Sequence, residues 1–219
     1  MVTRRISGDF GDVLKPKWFV AMCLFGLSAC VAPAGSETTD VTPPMRWDHR
    51  PEAAEWTTST LLAVSTKDPV LSQQVPADIT SWCPAYPHAD LDERRAFWAG
   101  LLSAVAKYES SWNPQAAGGG GRWIGLMQIS PKTAANYGCD ATSAGALKDG
   151  EANLECAVEI MSEQVARDGV VAGGGNRGVG RDWMPLRDSS KRAEMAAWTR
   201  AQPYCAAGLE SDDNRPSAG

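Results

Sequence analysis

The sequence predicts a mainly helical, disulfide-stapled domain behind an export signal and a linker. Three observations carry that expectation. No stretch alternates apolar and polar residues at the period of two that a half-buried strand requires. Helix start and stop signals recur between residues 51 and 203. Four cysteines lie beyond the N-terminal segment of a 219-residue chain that is 43% hydrophobic, enough for one cored domain and its extras.

The elements follow in chain order. Lys15 and Lys17 precede an apolar run over residues 18–27, and Ser28, Ala29 and Cys30 follow. A basic start, an apolar centre and small residues read as a secretory signal over 1–29. The run falls short of the about 20 apolar residues of a spanning helix. The end, Leu27-Ser28-Ala29-Cys30, resembles a bacterial lipobox, which implies cleavage before Cys30 and lipid on its sulfur. Residue 31 is Val rather than the Asp that resembles an inner-membrane retention signal. The expected location is therefore the cell envelope, on the periplasmic face, as an outer-membrane lipoprotein with a lipid anchor. Residues 30–50, rich in Pro, Thr, Ser and Gly over 31–44, read as a flexible linker. A globular domain is expected over 51–208 and a disordered tail over 209–219.

Within the domain, residues 51–64 form a helix with Pro51 in its first turn. Residues 65–87 are irregular. Asp90-x-x-Glu93 resembles a capping box. Phe97, Leu101 and Val105 follow at helical spacing, with Trp98 and Leu102 beside them, until Asn113-Pro114 ends the helix. A glycine run over 118–121 leads into Trp123-Ile124-Gly125-Leu126-Met127-Gln128-Ile129. Ser130-Pro131 starts a helix that Gly138 stops. Asp149 caps a long helix to about Arg167, closed by Gly169. A second glycine cluster spans 173–180, and a last helix runs over 189–200 until Pro203. Gly173-Gly174-Gly175-Asn176-Arg177-Gly178 formally matches G-x-G-x-x-G, but no strand precedes it, so it does not mark a dinucleotide site.

Cysteine use agrees with export. Cys23 leaves with the signal and Cys30 takes lipid, so Cys83, Cys139, Cys156 and Cys205 remain for two disulfides with three possible connectivities. We favour Cys139–Cys156, which closes a short loop between two helices, a constraint of about 3 kcal/mol. Cys83–Cys205 would then tie the two ends of the domain together.

Composition excludes several functions. The net charge of −5 and pI near 5.1 argue against nucleic-acid binding. The two histidines, His49 and His88, are far apart, and there is no H-E-x-x-H, C-x-x-C or G-x-S-x-G. The chain reads as free of metal and cofactor. Nine Trp against four Tyr and four Phe suggest an apolar-faced neutral ligand such as a sugar, although most Trp are expected in the core.

One residue breaks the pattern. The series Phe97, Leu101, Val105 continues to Glu109, placing a carboxyl on an inward face and in a last turn that the helix dipole makes unfavourable for anions. Both effects raise a carboxyl pKa, as a general acid needs. The neighbours sharpen this. Tyr108-Glu109-Ser110-Ser111-Trp112-Asn113-Pro114, then Gly125-Leu126-Met127-Gln128-Ile129, then Ala152-Asn153-Leu154 resemble the catalytic domain of the soluble lytic transglycosylases. The likeness covers about a third of the chain, in the motif region 90–169.

That resemblance implies a lysozyme-like fold. It implies cleavage of the β-1,4 bond between N-acetylmuramic acid and N-acetylglucosamine in peptidoglycan glycan strands. The muramyl C6 hydroxyl attacks its own C1 and yields a 1,6-anhydro product. Glu109 would donate a proton to the leaving oxygen and then take one from the C6 hydroxyl. Ordinary glycosidases need two carboxylates; Asp140, Asp149, Glu151 and Glu155 are the nearby acids, and none is an obvious partner. The resemblance also implies substrate contacts by Ser110, Gly125, Met127, Gln128, Ile129 and Asn153, with Tyr137 at the cleft or in the core. The family's Ala-Tyr-Asn-x-Gly segment is missing, leaving Trp183 or Tyr204 to supply an aromatic wall. Two further readings stay open: a lysozyme-type hydrolase, and a non-catalytic glycan-binding lipoprotein. An association with envelope machinery is compatible with each.

Overall fold

The computed structural model describes residues 42–206. The expected signal, lipid site Cys30 and tail 209–219 lie outside the described residues. The fold is mainly helical: α1 (Ala53–Thr66), α2 (Leu91–Ser110), α3 (Pro131–Asn136), α4 (Gly150–Asp168), α5 (Ser189–Arg200) and α6 (Pro203–Ala206), with short 3₁₀ turns between them. A two-stranded antiparallel hairpin, β1 (Ala117–Gly118) and β2 (Trp123–Ile124), occupies the glycine run.

The helix boundaries follow from capping chemistry. Asp90 and Glu93 form a reciprocal capping box, so two otherwise orphaned backbone donors at the start of α2 are satisfied. The Ser130 hydroxyl accepts from the Thr133 N–H with Pro131 in the first turn of α3. Asp149 accepts from the Ala152 N–H, and left-handed Gly169 closes α4. Asp188 caps α5. Pro203, expected only as a stop, also opens α6, as a residue that needs no N–H in a first turn can.

α2 is the central helix. It packs on α1, α5, α6 and the turn Met184–Arg187, while α4 packs on α1 and the turn Gly178–Arg181. Residues 96–106 of α2 are buried on every side. The stripe Phe97, Leu101, Val105 therefore does not select one inward face, because the whole middle of α2 is core. Tyr86, Phe97 and Trp98 stack edge to face, and the Tyr86 hydroxyl and Trp98 indole N–H both donate to the Leu71 carbonyl.

The packed body begins earlier than the linker boundary expected at residue 50. Met45 and Trp47 are buried, and the Trp47 indole N–H donates to Thr57 Oγ1 at 2.9 Å. Trp47 meets Trp56 edge-on, so the hydrophobic gain of these two rings outweighs the polar, Pro-rich composition around them. Both expected disulfides are present. Cys83–Cys205 joins segments 122 residues apart, and Cys139–Cys156 joins the end of the α3 region to α4.

Candidate active site

α2 ends against local rules. Its last turn carries Glu109, and the next two residues, Ser111 and Trp112, hold left-handed backbone with φ of 52° and 57°. Side chains disfavour that region. The Ser111 N–H donates to the Lys107 carbonyl and the Trp112 N–H to the Ala106 carbonyl, closing the helix, and the Trp112 indole donates to the Ser103 carbonyl at 2.9 Å. Among the described residues one other non-glycine residue is left-handed: Gln128, φ 49°. Such conformations cost about 1–3 kcal/mol each and persist only where their surroundings hold them. All three fall within or beside the two strongest motifs.

Burial pushes the Glu109 carboxyl up to about 7, and the Lys191 ammonium on α5 partly opposes that rise. No second carboxylate enters that balance among the described residues. Asp149 is spent on capping α4, and Glu155 accepts from Ser59 Oγ. Beside Glu109, the Tyr108 hydroxyl donates to Glu194 Oε2 at 2.8 Å. Glu194 is held down at about 2 by the Arg46 guanidinium first, with Tyr108 and Lys107 assisting against burial. Lys107 and Lys191 flank the Tyr108 ring, 5.1 Å and 5.5 Å from its centroid. Lys107 is bound to Glu194, whereas Lys191 forms no ion pair among the described residues.

The chain returns from α2 through the hairpin to the 125–129 loop. This loop is built on Asn153, which is fully buried on α4. Its Oδ1 accepts from the Met127 N–H at 2.8 Å, and its Nδ2 donates to the Ile124 and Leu147 carbonyls at 3.0 Å and 2.9 Å. Gly125 is obligatory: with φ of 77°, a β-carbon would sit 2.2 Å from the Leu147 carbonyl oxygen. The Gln128 amide donates to the Gly125 carbonyl and accepts from the Gly118 N–H at 3.1 Å, locking loop to hairpin. Ile124 and Ile129 exchange backbone hydrogen bonds.

These contacts place the residues expected to meet substrate. Met127 and Asn153 are fully buried and Ile129 nearly so. Their side chains are the floor beneath the loop and offer no surface to a sugar as they stand. Gln128 is partly exposed, but its amide is engaged with the backbone. The Ser110 hydroxyl donates back to the Ala106 carbonyl of its own helix. Tyr137 is partly buried, its hydroxyl joined with the Gln164 amide and Asp182. Burial raises the Asp182 carboxyl above its usual range, against the hydrogen bonds from Gln164 and Tyr137.

Of the two aromatic residues considered for the missing tyrosine segment, Trp183 reaches the loop. Its indole N–H donates to the Met127 carbonyl at 3.0 Å. Tyr204 lies over Gly100 in the middle of α2 and points its hydroxyl at the Pro44 carbonyl. Lys191 is the functional candidate the sequence reading missed. It sits 82 positions after Glu109, so no spacing rule connects them. One local signal exists: a cation in the first turn of α5, where the helix dipole disfavours it.

A helical fold around a buried central helix, which ends in a half-buried glutamate and is followed by an asparagine-pinned loop, is of the lysozyme-like class. Residues 89–195 match the family model described as the Transglycosylase SLT domain. Residues 89–195 thus form an SLT-type, lysozyme-like domain. Three solved structures of the protein DslA are similar to it: the wild type and two single glutamate-to-glutamine variants. One variant is 28% identical with a TM-score of 0.67, over 75% of this chain and 98% of that one. The wild-type form is 28% identical with a TM-score of 0.66, over 74% and 97%. No curated protein matches the chain.

Proposed function

We propose that this protein cleaves the β-1,4 bond between N-acetylmuramic acid and N-acetylglucosamine by intramolecular attack, with Glu109 as sole acid and base. The observation that carries this reading is Glu109 itself: a half-buried carboxyl raised to about 7, with no carboxylate partner beside it among the described residues. Near neutral pH such a group is poised to hold a proton or release it. It donates that proton to the glycosidic oxygen as the C1–O bond breaks. The carboxylate so formed, facing the Lys191 ammonium, then takes the proton from the muramyl C6 hydroxyl as that oxygen bonds to C1. The proton count closes, and no water is consumed.

The test is digestion of purified peptidoglycan, read by mass spectrometry of the released muropeptides, with Glu109→Gln alongside. Anhydromuramyl ends that disappear in the variant are the expected result. Reducing muramyl ends would replace this reading with lysozyme-type hydrolysis. Glycan binding without cleavage would leave a binding lipoprotein. We infer from the sequence motif, in addition, that Cys30 carries lipid and places the enzyme at the outer membrane, where envelope machinery could recruit it. Metabolic labelling with palmitate, lost in Cys30→Ala, checks this.

A further inference from the structure

Two sequence features remain outside that mechanism: the abundance of Trp and the glycine run at 118–121. The structure joins them. Of the tryptophans among the described residues, Trp47, Trp56, Trp82, Trp98 and Trp183 are buried, and Trp112 and Trp198 are partly so. Trp123 alone is exposed, at 44%. It stands on β2, two residues before Gly125, on the strand that feeds the Asn153-pinned loop.

The glycines make room for its ring. A β-carbon on Gly119 would lie 2.1 Å from the Trp123 six-membered ring, and Gly119 itself is left-handed with φ of 55°. A β-carbon on Gly118 would lie 2.5 Å from Gln128 Oε1, the atom that ties the hairpin to the loop. The bare Gly119 backbone therefore backs the indole, while Gly118 fixes the hairpin to the loop. The ring thus packs against the hairpin on one side, and the residue stays 44% exposed. The exposed guanidinium of Arg122 lies 5.4 Å from the ring centroid, a donor-rich neighbour for hydroxyl or amide oxygens.

We propose that Trp123, backed by Gly119, is a stacking platform for one N-acetylated pyranose of the glycan strand beyond the sugars at the cut bond. The C–H face of a β-linked pyranose is apolar and flat, and its rim of hydroxyl and acetamido oxygens suits the Arg122 guanidinium. This inference rests on the proposed glycan substrate, but its failure is separable from failure of the cleavage reading.

The experiment uses the full chain carrying Glu109→Gln, titrated with the hexamer of N-acetylglucosamine by calorimetry. Adding Trp123→Ala weakens binding by about tenfold, and Trp123→Phe recovers most of it. Gly119→Ala, which displaces the ring without deleting it, weakens binding like Trp123→Ala. Circular dichroism melts identify any variant that fails to fold. In the cleaving chain, Trp123→Ala raises KM about tenfold on peptidoglycan while kcat falls less. Unchanged hexamer binding and unchanged KM in Trp123→Ala overturn the platform and leave the cleavage reading standing. Binding that depends on Trp123 in a parent chain that cuts nothing overturns the cleavage reading and leaves the platform.

Discussion

The two ends of α2 are built on opposite principles. At the N-terminal end every choice agrees: Asp90 and Glu93 exchange capping bonds, and Asp92 and Glu93 put negative charge where the helix dipole favours it. At the C-terminal end the choices conflict. Glu109 faces the unfavourable end of the dipole, burial raises its pKa, and two left-handed side-chain-bearing residues follow. One end stabilises the helix; the other carries a carboxyl whose pKa burial raises. Functional sites are where local rules are expected to be broken and where neighbouring structure must supply compensation. Here the compensation comes from the Asn153 bonds, the Ser111 closure and the α5 charges.

The sharpest test of that contrast is Glu109→Gln. Loss of the acid removes both proton transfers, and kcat is expected to fall by at least about 10³-fold. The same change is expected to stabilise the fold. Glu109 has a folded pKa of about 7, above the 4.5 of an ordinary glutamate. Its contribution is therefore intact below pH 4.5 and is lost as pH rises towards 7. Glutamine escapes that loss, so the variant should melt higher at pH 8, by at most about 3 kcal/mol in stability, and equally at pH 4. A variant that loses activity and stability together at pH 8 breaks the comparison.

Asn153→Ala tests the compensation. It strands the Met127 N–H and the Ile124 and Leu147 carbonyls in a dry interior. A destabilisation of about 3 kcal/mol is expected, with loss of activity exceeding what unfolding explains at low temperature. Denaturant melts beside digestion assays at 10 °C measure both.

Lys191→Met probes the proton alone. The ammonium lowers the Glu109 pKa, so its removal raises it. The acid then stays protonated to higher pH. The basic limb of kcat/KM, expected near 7 in the parent, should move upward by about half a unit to one unit. Lys191→Arg should restore the parent limb. A Lys191 serving only to pack against Tyr108 would change rate without moving the limb.

Much of this was legible in the chain because capping is a local code. Asp90, Ser130, Asp149 and Gly169 mark their helix ends within three or four residues. The two disulfides could be favoured from the order of helices, since each links segments that a compact helical body brings together. The rest needed tertiary contacts. Trp47 joins the core only because Thr57 and Trp56 meet it. Lys191 reaches Glu109 only through the packing of α5 on α2. Asn153 was found by its motif, but whether it faced sugar or backbone depended on three backbone groups, two of them on the distant 124–127 segment. The hairpin at the Gly118–Gly121 run was not legible, because a two-residue strand on each side leaves too little periodicity to detect.

The smallest expected effect comes from the conventional end of α2. Asp90→Ala removes the acceptor for the Glu93 N–H, and the returning Glu93 bond to the Asp90 N–H loses its reciprocal partner. Both groups are exposed, so water replaces much of what is lost, and a cap of this kind is worth about 1 kcal/mol. The melting temperature is expected to fall by about 2–4 °C. Glu109 lies 19 residues further along, beyond a fully packed stretch from 96 to 106 that keeps its place when the first turn frays. The pH profile and kcat/KM should therefore match the parent after correction for folded fraction. If Asp90→Ala shifts the basic limb, the two ends of α2 are coupled, and the division between a holding end and a reacting end fails.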